Sequence, residues 1–399
     1  MAYPTLCHPL ILFLVGNLIN TATAAYTQRE SPLRYVAFII CLTISWLALS
    51  NFHAYVQTTG WPGRMLAAAI FSVPLQLFDR LLFRKWAFGH DYLGPVEVPD
   101  AERKKQSRWE FGSEVAGSIR CTGSSKEVAN VPYFSQQDPE YVPAWSTFLL
   151  RHSCLIVGLH YLNTFFIDLQ LRANHSLLDD NYIPFLWRIT NVSGEELATR
   201  IQISITYWMA QYCLLHLLFS LFAVISVSLK PGELKFWRPM FGQLKSSYTI
   251  RGFWGKFWHQ NLQLNLKGPA DFISSTILHL PQGTIIARYA KVFFAFFVSG
   301  VLHVVSDSGG AVPGAHSGAL RFFCTQALGI MFEDSVQELH RILFGNRMNQ
   351  GCKAVGFLWV VAFLSWSTPT WAYPIVRTMK RKDMMLDPSA LHPLISSFL

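Results

Sequence analysis

Eight stretches of this chain are apolar over spans long enough to dictate its architecture: Leu10–Ala25, Tyr35–Asn51, Met65–Phe83, Ser146–Leu169, Ile201–Leu229, Thr284–Val305, Ala319–Leu343 and Val355–Val376. Hydrocarbon offers no water to backbone N–H and C=O groups, so a run of about 20 apolar residues is stable there only as a helix. The first two runs are short. The seventh is interrupted by Glu333, Asp334 and Glu338, and reads either as a full span or as a short span followed by a surface helix. The expected fold is an all-α polytopic membrane protein, a bundle of about eight transmembrane helices. Only 14% of the residues are charged, against about 25% in soluble domains. The formal net charge of +9 does not indicate nucleic acid, because the basic residues are distributed between apolar runs and form no DNA-reading motif. The first run lacks a basic start and is followed by other spans, so it reads as a signal-anchor-like segment.

The loops orient the spans. Residues 84–145 carry eight Lys or Arg (Arg84, Lys85, Arg103, Lys104, Lys105, Arg108, Arg120 and Lys126) and residues 230–283 carry seven, among them Arg238, Arg251 and Lys256. Two spans separate these loops, which places both on one side, the cytosolic side by the excess of positive charge. The intervening loop holds two N-x-S sequons, at Asn174 and Asn191, which are usable for glycosylation only on a lumenal face. A count of eight spans would leave the basic tail Arg377, Lys380, Arg381 and Lys382 in the lumen, so either the seventh run does not cross or the tail breaks the rule. The stretch 84–145 is too poor in aliphatics to form its own core, and the chain is expected to be a single domain, 1–399. Seven cysteines show no paired or zinc-ligand spacing, and no metal site is expected.

Two histidines stand out. His303 follows the apolar run Val292–Val298 and the pair Ser299-Gly300; an ionisable group at bilayer depth is costly and marks a candidate functional site. The bland alternative is a histidine that hydrogen-bonds a neighbouring helix. Ser299 and Asp307, four residues to either side, share its helix face. Asp307 either orients the imidazole or simply begins the polar loop. A neutral imidazole can accept the proton of an alcohol as a general base. His259 closes the loop segment Phe253-Trp254-Gly255-Lys256-Phe257-Trp258-His259-Gln260. Interleaved aromatics and cations there suit an interfacial belt. They equally suit a phosphorylated, adenine-bearing ligand, with Arg251 and Lys256 for charge and Trp254 and Trp258 for stacking. The chain has no G-x-S-x-G elbow, no H-E-x-x-H and no G-x-x-x-x-G-K-[ST] loop.

R-x-F-W-G-x-x-W-H-Q followed by F-x-x-S-G-x-x-H within an apolar run resembles the membrane-bound O-acyltransferase superfamily. The likeness is strongest to its wax synthase-like branch and, within it, to fungal acetyltransferases of terpenoid and meroterpenoid biosynthesis. A third stretch, Arg120 to Pro132, is similar to a family segment R-G-I-G-x-x-W-x-V-x-N-I-P. Arg120, Gly123, Val128, Asn130 and Pro132 match it, while Cys121 and Lys126 depart from it. The resemblance runs from about residue 30 to residue 376. It implies a helix bundle with a membrane-embedded catalytic tunnel, His303 as the catalytic histidine and His259 as its loop counterpart. Arg251, Trp254, Lys256, Trp258 and Ser299 are then substrate-binding candidates. It further implies acetyl-CoA or another acyl-CoA as co-substrate, no tightly bound cofactor, a small-molecule alcohol as acceptor, and residence in the endoplasmic reticulum membrane. For the two histidines to meet, the loop would have to dip into the membrane. Two rivals remain: a wax ester synthase using fatty acyl-CoA and a fatty alcohol, and a proton-coupled transporter, for which the internal repeats of many carriers are missing. Nothing in the sequence speaks to oligomeric state.

Overall fold

The computed structural model describes residues 8–56, 60–93, 106–345 and 349–379; Arg103, Lys104, Lys105 and Lys380, Arg381 and Lys382 lie outside them. Among the described residues all regular structure is helical. The principal helices are α1 (Pro9–Tyr26), α2 (Leu33–Ser50), α3 (Trp61–Leu77), α4 (Arg108–Gly117), α5 (Trp145–Leu171) and α6 (Gly194–Leu229). They are followed by α7 (Gln263–Phe272), α8 (Ile285–Gly309), α9 (Ala319–Phe344), α10 (Gln350–Ser367) and α11 (Pro369–Thr378). The protein is an all-α polytopic membrane protein. Among the described residues, six helices are long and apolar enough to cross a bilayer (α1, α2, α3 with its continuation to Phe83, α5, α6 and α8), and α10 with α11, bent by 51°, makes a seventh if the pair is one span.

Helix α9 fails that test because of its acidic residues, yet its outward face (Leu328, Phe332, Val336, Leu339 and Leu343) is apolar and exposed while Glu333 is buried. A hydropathy average cannot separate the two faces of a helix. The polar stretch expected to be plain loop contains α4, which a Ser107–Glu110 capping box starts. Elsewhere the helix starts follow ordinary capping chemistry: Ser193 accepts the Glu196 N–H for α6, Thr284 that of Ala287 for α8, and Asn349 that of Cys352 for α10.

The chain divides into two compact units. The first contains the described residues up to Ala129 together with Asn261–Ala311, and the second contains Asn130–Gln260 together with the described residues from Val312 onward. In the first unit α8 packs against α3, and α1 against α2 and α4. The α3–α8 contact is close because it is made at glycine: a Cβ on Gly309 would sit 2.4 Å from the Gly63 carbonyl oxygen. Small residues of this kind let membrane helices approach backbone to backbone. Ser306 Oγ, one turn earlier, donates to the Arg64 carbonyl at 3.1 Å. In the second unit α5 and α6 run antiparallel. They are joined by Trp145 Nε1 to the Val227 carbonyl, His152 Nδ1 with Ser220 Oγ, Asn163 Nδ2 to the Ala210 carbonyl and Gln202 Nε2 to the Leu169 carbonyl. Each such bond between membrane helices contributes about 0.6–2 kcal/mol.

The Gly63–Gly309 contact fixes α8, and with it His303, so overpacking there is expected to be costly. Gly309→Val should destabilise the folded protein by about 2 kcal/mol, seen as a lower thermal midpoint in detergent. An unchanged midpoint would mean that α3 and α8 do not depend on this contact.

Candidate active site

Each unit carries one of the two histidines. In the first, His303 stands six residues before the end of α8, roughly 9 Å along the axis from it. Its Nδ1 lies 2.7 Å from the carbonyl oxygen of Ser299. A carbonyl only accepts, so Nδ1 carries the hydrogen and the ring lone pair is on Nε2. Sequence spacing offered the Asp307 carboxylate as an orienting group; the partner of Nδ1 is the main chain of Ser299. Asp307 is buried in the last turn of α8 and does not belong to the loop, and Ser299 and Gly300 are buried on the same helix.

In the second unit the segment around His259 is a compact, irregular turn. It opens at Thr249, whose hydroxyl accepts the Gly252 N–H at 2.8 Å. It runs through one helical turn, Ile250–Gly252, and then widens into a π turn over Phe253–Phe257. The Trp258 N–H closes that turn on the Phe253 carbonyl at 2.7 Å. The chain then extends at Trp258, with ψ of 150°, and π turns of this type are frequent at functional sites. Three groups hold the widened turn from outside. Asn130, left-handed at φ of 65°, donates its amide to the Gly255 carbonyl at 2.8 Å. Gly242 donates its N–H to the Phe257 carbonyl at 2.8 Å. The Gln260 side chain reaches back to the carbonyls of Trp254, at 3.1 Å, and Trp258.

The indoles face inward. Trp208 of α6 meets Trp258 edge-on at 5.0 Å and Trp254 at 5.7 Å, and its own Nε1 donates to Thr368 Oγ1 at 2.8 Å. Trp254 Nε1 donates to Gln326 Oε1 at 3.2 Å. Edge-to-face pairs of this kind contribute about 0.5–1.5 kcal/mol each beyond area burial, so the aromatic cluster is a rigid core on which His259 is mounted. His259 itself lies against Trp258 and Phe241.

The cations have a different setting. A cavity of about 600 Å³ adjoins the turn, with Lys245, Tyr248, Arg251, Lys256, Lys353 and Phe357 on its wall. Among the described residues, no carboxylate belongs to that wall. Lys353 Nζ sits 5.9 Å over the Tyr248 ring. Arg251 is not wholly given to the cavity, because its guanidinium grips Asp334 of α9 through two bonds, of 3.2 and 2.6 Å. Lys245, Lys353, Asn130 and Gln260 were not singled out by sequence as site residues. Lys353 follows the His259 turn by almost a hundred residues; Gln260, adjacent to His259, offered a local signal, and Asn130 stood among the matches of the Arg120–Pro132 stretch. Both sequon asparagines are exposed; Asn174 donates to Glu195 at 2.8 Å, and Ser193 of the second sequon caps α6.

The sequence model of the Membrane bound O-acyl transferase family matches residues 237–325, which take in both histidines. Acetyltransferase aurG of Calcarisporium arbuscula is 29% identical over 399 residues, covering 94% of this chain and 94% of that one. Acetyltransferase spyB of Aspergillus fumigatus is 27% identical over 412 residues, 96% of this chain and 66% of its own. Acetyltransferase fsoF of Humicola fuscoatra is 34% identical over 288 residues, 66% of each chain. This chain belongs to the membrane-bound O-acyl transferase family. It is therefore an acyltransferase that moves groups other than aminoacyl groups, and membership implies an acyl-CoA and an alcohol as its substrates at a membrane.

Gly242 tests how tightly the turn must be held. A Cβ there would lie 1.9 Å from the Lys256 carbonyl oxygen, so the two backbones cannot keep their approach. Gly242→Ala is expected to leave membrane insertion intact and to slow ester formation at least tenfold, since about 1 Å of misplacement can cost up to about 10²-fold. A parental rate would show that the turn tolerates displacement.

Proposed function

We propose that this membrane-bound O-acyl transferase is an O-acetyltransferase that esterifies a hydroxyl of a lipophilic terpenoid or meroterpenoid with acetyl-CoA, with His303 as general base. The observation that carries this reading is the 2.7 Å bond from His303 Nδ1 to the Ser299 carbonyl, which leaves Nε2 as the basic nitrogen. Support for the acetyl group comes from the relatives, each named an acetyltransferase.

In this reading Nε2 takes the proton of the acceptor hydroxyl as its oxygen bonds to the thioester carbonyl carbon. The tetrahedral adduct collapses, the C–S bond breaks, and the imidazolium returns the proton to the departing sulfur, so that CoA leaves as the thiol. His259 assists by donating to the carbonyl oxygen as negative charge develops there. Lys245, Lys256 and Lys353 offer charge to the phosphates of CoA, and Tyr248 and Phe357 offer ring faces to its adenine. Trp254 and Trp258 serve the substrate by fixing the turn that carries His259, and Ser299 serves it through its carbonyl. Both basic loops face the cytosol in this scheme, Asn174 and Asn191 face the lumen as possible glycan sites, and the membrane is that of the endoplasmic reticulum.

Membranes containing the protein are expected to form an acetate ester from labelled acetyl-CoA and at least one member of a panel of terpenoid alcohols, read by product mass. With palmitoyl-CoA the yield should be far lower; the reverse preference would identify a wax ester synthase and overturn the acetyl assignment. His303→Ala should lower the rate by about 10²–10⁴-fold, the usual contribution of a general base, without loss from the membrane. His259→Ala should also lose most of the rate. Lys245→Ala and Lys353→Ala should each raise KM for acetyl-CoA about tenfold, the effect of one lost charge-assisted contact, with kcat little changed.

A further inference from the structure

The seventh apolar run is interrupted by Glu333 and Asp334, a carboxylate pair that neither hydropathy nor the reaction above explains. Burying a carboxylate is expensive unless it is fully hydrogen-bonded, and Glu333 is only 5% exposed. Its two oxygens accept the backbone N–H groups of Ile250, at 2.6 Å, and Arg251, at 3.4 Å. These are the first N–H groups of the turn that leads to His259. The next two are also satisfied: Gly252 donates to the Thr249 hydroxyl and Phe253 to the Thr249 carbonyl, both at 2.8 Å. The Phe253 bond is the first intrahelical one; the N–H groups of Ile250, Arg251 and Gly252, which a helix start leaves without intrahelical partners, are thus all taken up, the first two by a side chain from α9. A carboxylate at this end is also where the helix dipole favours negative charge.

Asp334, the next residue of α9, takes the side chain of Arg251 through its two-bond contact. Consecutive residues of one helix therefore grip the main chain and the side chain of the same residue. Two turns earlier, on the Glu333 face of α9, Gln326 accepts from Trp254 Nε1 at 3.2 Å and donates to Ser367 Oγ at 3.1 Å. From Ile250 to Gln260 the chain is one hydrogen-bonded piece, closed by the π turn and by the Gln260 amide. A shift at its start is carried to His259.

We propose that Glu333 and Asp334 are positioning residues for acyl transfer, a latch on α9 that sets where the turn presents His259, and that Arg251 acts chiefly as the latch's counterpart. This rests on the assignment of His259 to the acyl-transfer site. It predicts that breaking the latch lowers kcat and leaves acyl-CoA binding nearly intact, because the phosphate-facing lysines are not part of it.

The test uses the full chain in membranes, with kcat and KM for acetyl-CoA measured for Glu333→Gln, Asp334→Asn, the exchange Arg251→Asp with Asp334→Arg, and His259→Ala. Glu333→Gln places an amide NH₂ against a backbone N–H, and Asp334→Asn removes the charge from the paired fork. Both should lose at least tenfold in kcat, as misplacement of about 1 Å does, while KM changes less than about threefold. The charge exchange should recover most of the kcat lost in Asp334→Asn. Parental kcat in both single variants, or a loss confined to KM, would overturn the latch and return Arg251 to the role of nucleotide ligand. Failure of the exchange to recover kcat would count against it equally. If Glu333→Gln reduces the amount of folded protein, the more exposed Asp334–Arg251 pair decides the question alone. His259→Ala separates the two levels: normal kcat there overturns the assignment of His259, whereas a loss there with none in the latch variants overturns only the latch.

Discussion

In an apolar protein each departure from regular helix releases N–H and C=O groups that must find partners from elsewhere, because neither lipid nor a packed apolar core supplies them. The segment before and after His259 departs twice, once in widening to a π turn and once in extending at Trp258. Nearly everything around it serves those freed groups. Asn130 and Gly242 donate to its carbonyls, Gln260 closes it on itself, and Glu333 accepts the N–H groups at its start. A histidine on a plain loop would have none of this support. His303 solves the same problem more simply: it stays on a regular helix and adds its ring N–H to a carbonyl of the preceding turn.

Much of this architecture can be read from the sequence because membrane helices announce themselves by length. The run Ser146–Leu169 became α5, Trp145–Leu171, and Ile201–Leu229 became the longer α6 once the Ser193 cap extended its start. The two histidine motifs were legible as well, since they are contiguous in sequence. What was not legible is what depends on partners distant in sequence. Arg251 next to tryptophans looks like a ligand for phosphate; that it holds Asp334, eighty-three residues later, is visible only in the fold. Helix α9 illustrates the same limit, because its acids and its exposed leucines occupy different faces and a linear window blends them.

The basic excess of the chain, 33 Lys and Arg against 24 Asp and Glu, acquires a second meaning from the same constraint. Positive charge in loops orients spans, but Arg238, counted that way, and other arginines within helices are occupied in binding main-chain carbonyls. Arg34, buried in α2, donates to the carbonyls of Leu81, at 2.9 Å, and Trp86, at 2.8 Å. Arg80 donates to those of Val115 and Ser118, and Arg200 to those of Tyr182, Ile183 and Trp366. Arg238 holds the carbonyls of Val131 and Pro132 while lying 4.1 Å over the Tyr133 ring.

Guanidinium suits this task and ammonium does not. Five donors in a fixed plane can meet two or three carbonyls leaving a chain reversal in different directions. Carbonyls of this kind collect where helices end and connections begin, which is where these arginines point. Glu333 is the counterpart for N–H groups, a single carboxylate meeting the two donors at a helix start. The Arg238 contact matters most for the candidate site, because Val131 and Pro132 directly follow the Asn130 that binds the π turn. Charge that looks in sequence like topology or ligand binding is here largely the means by which irregular backbone is kept in place. The His259 turn holds its shape because Glu333 meets its first N–H groups and the amides of Asn130, Gly242 and Gln260 meet its carbonyls, while Arg238 secures the connection that carries Asn130.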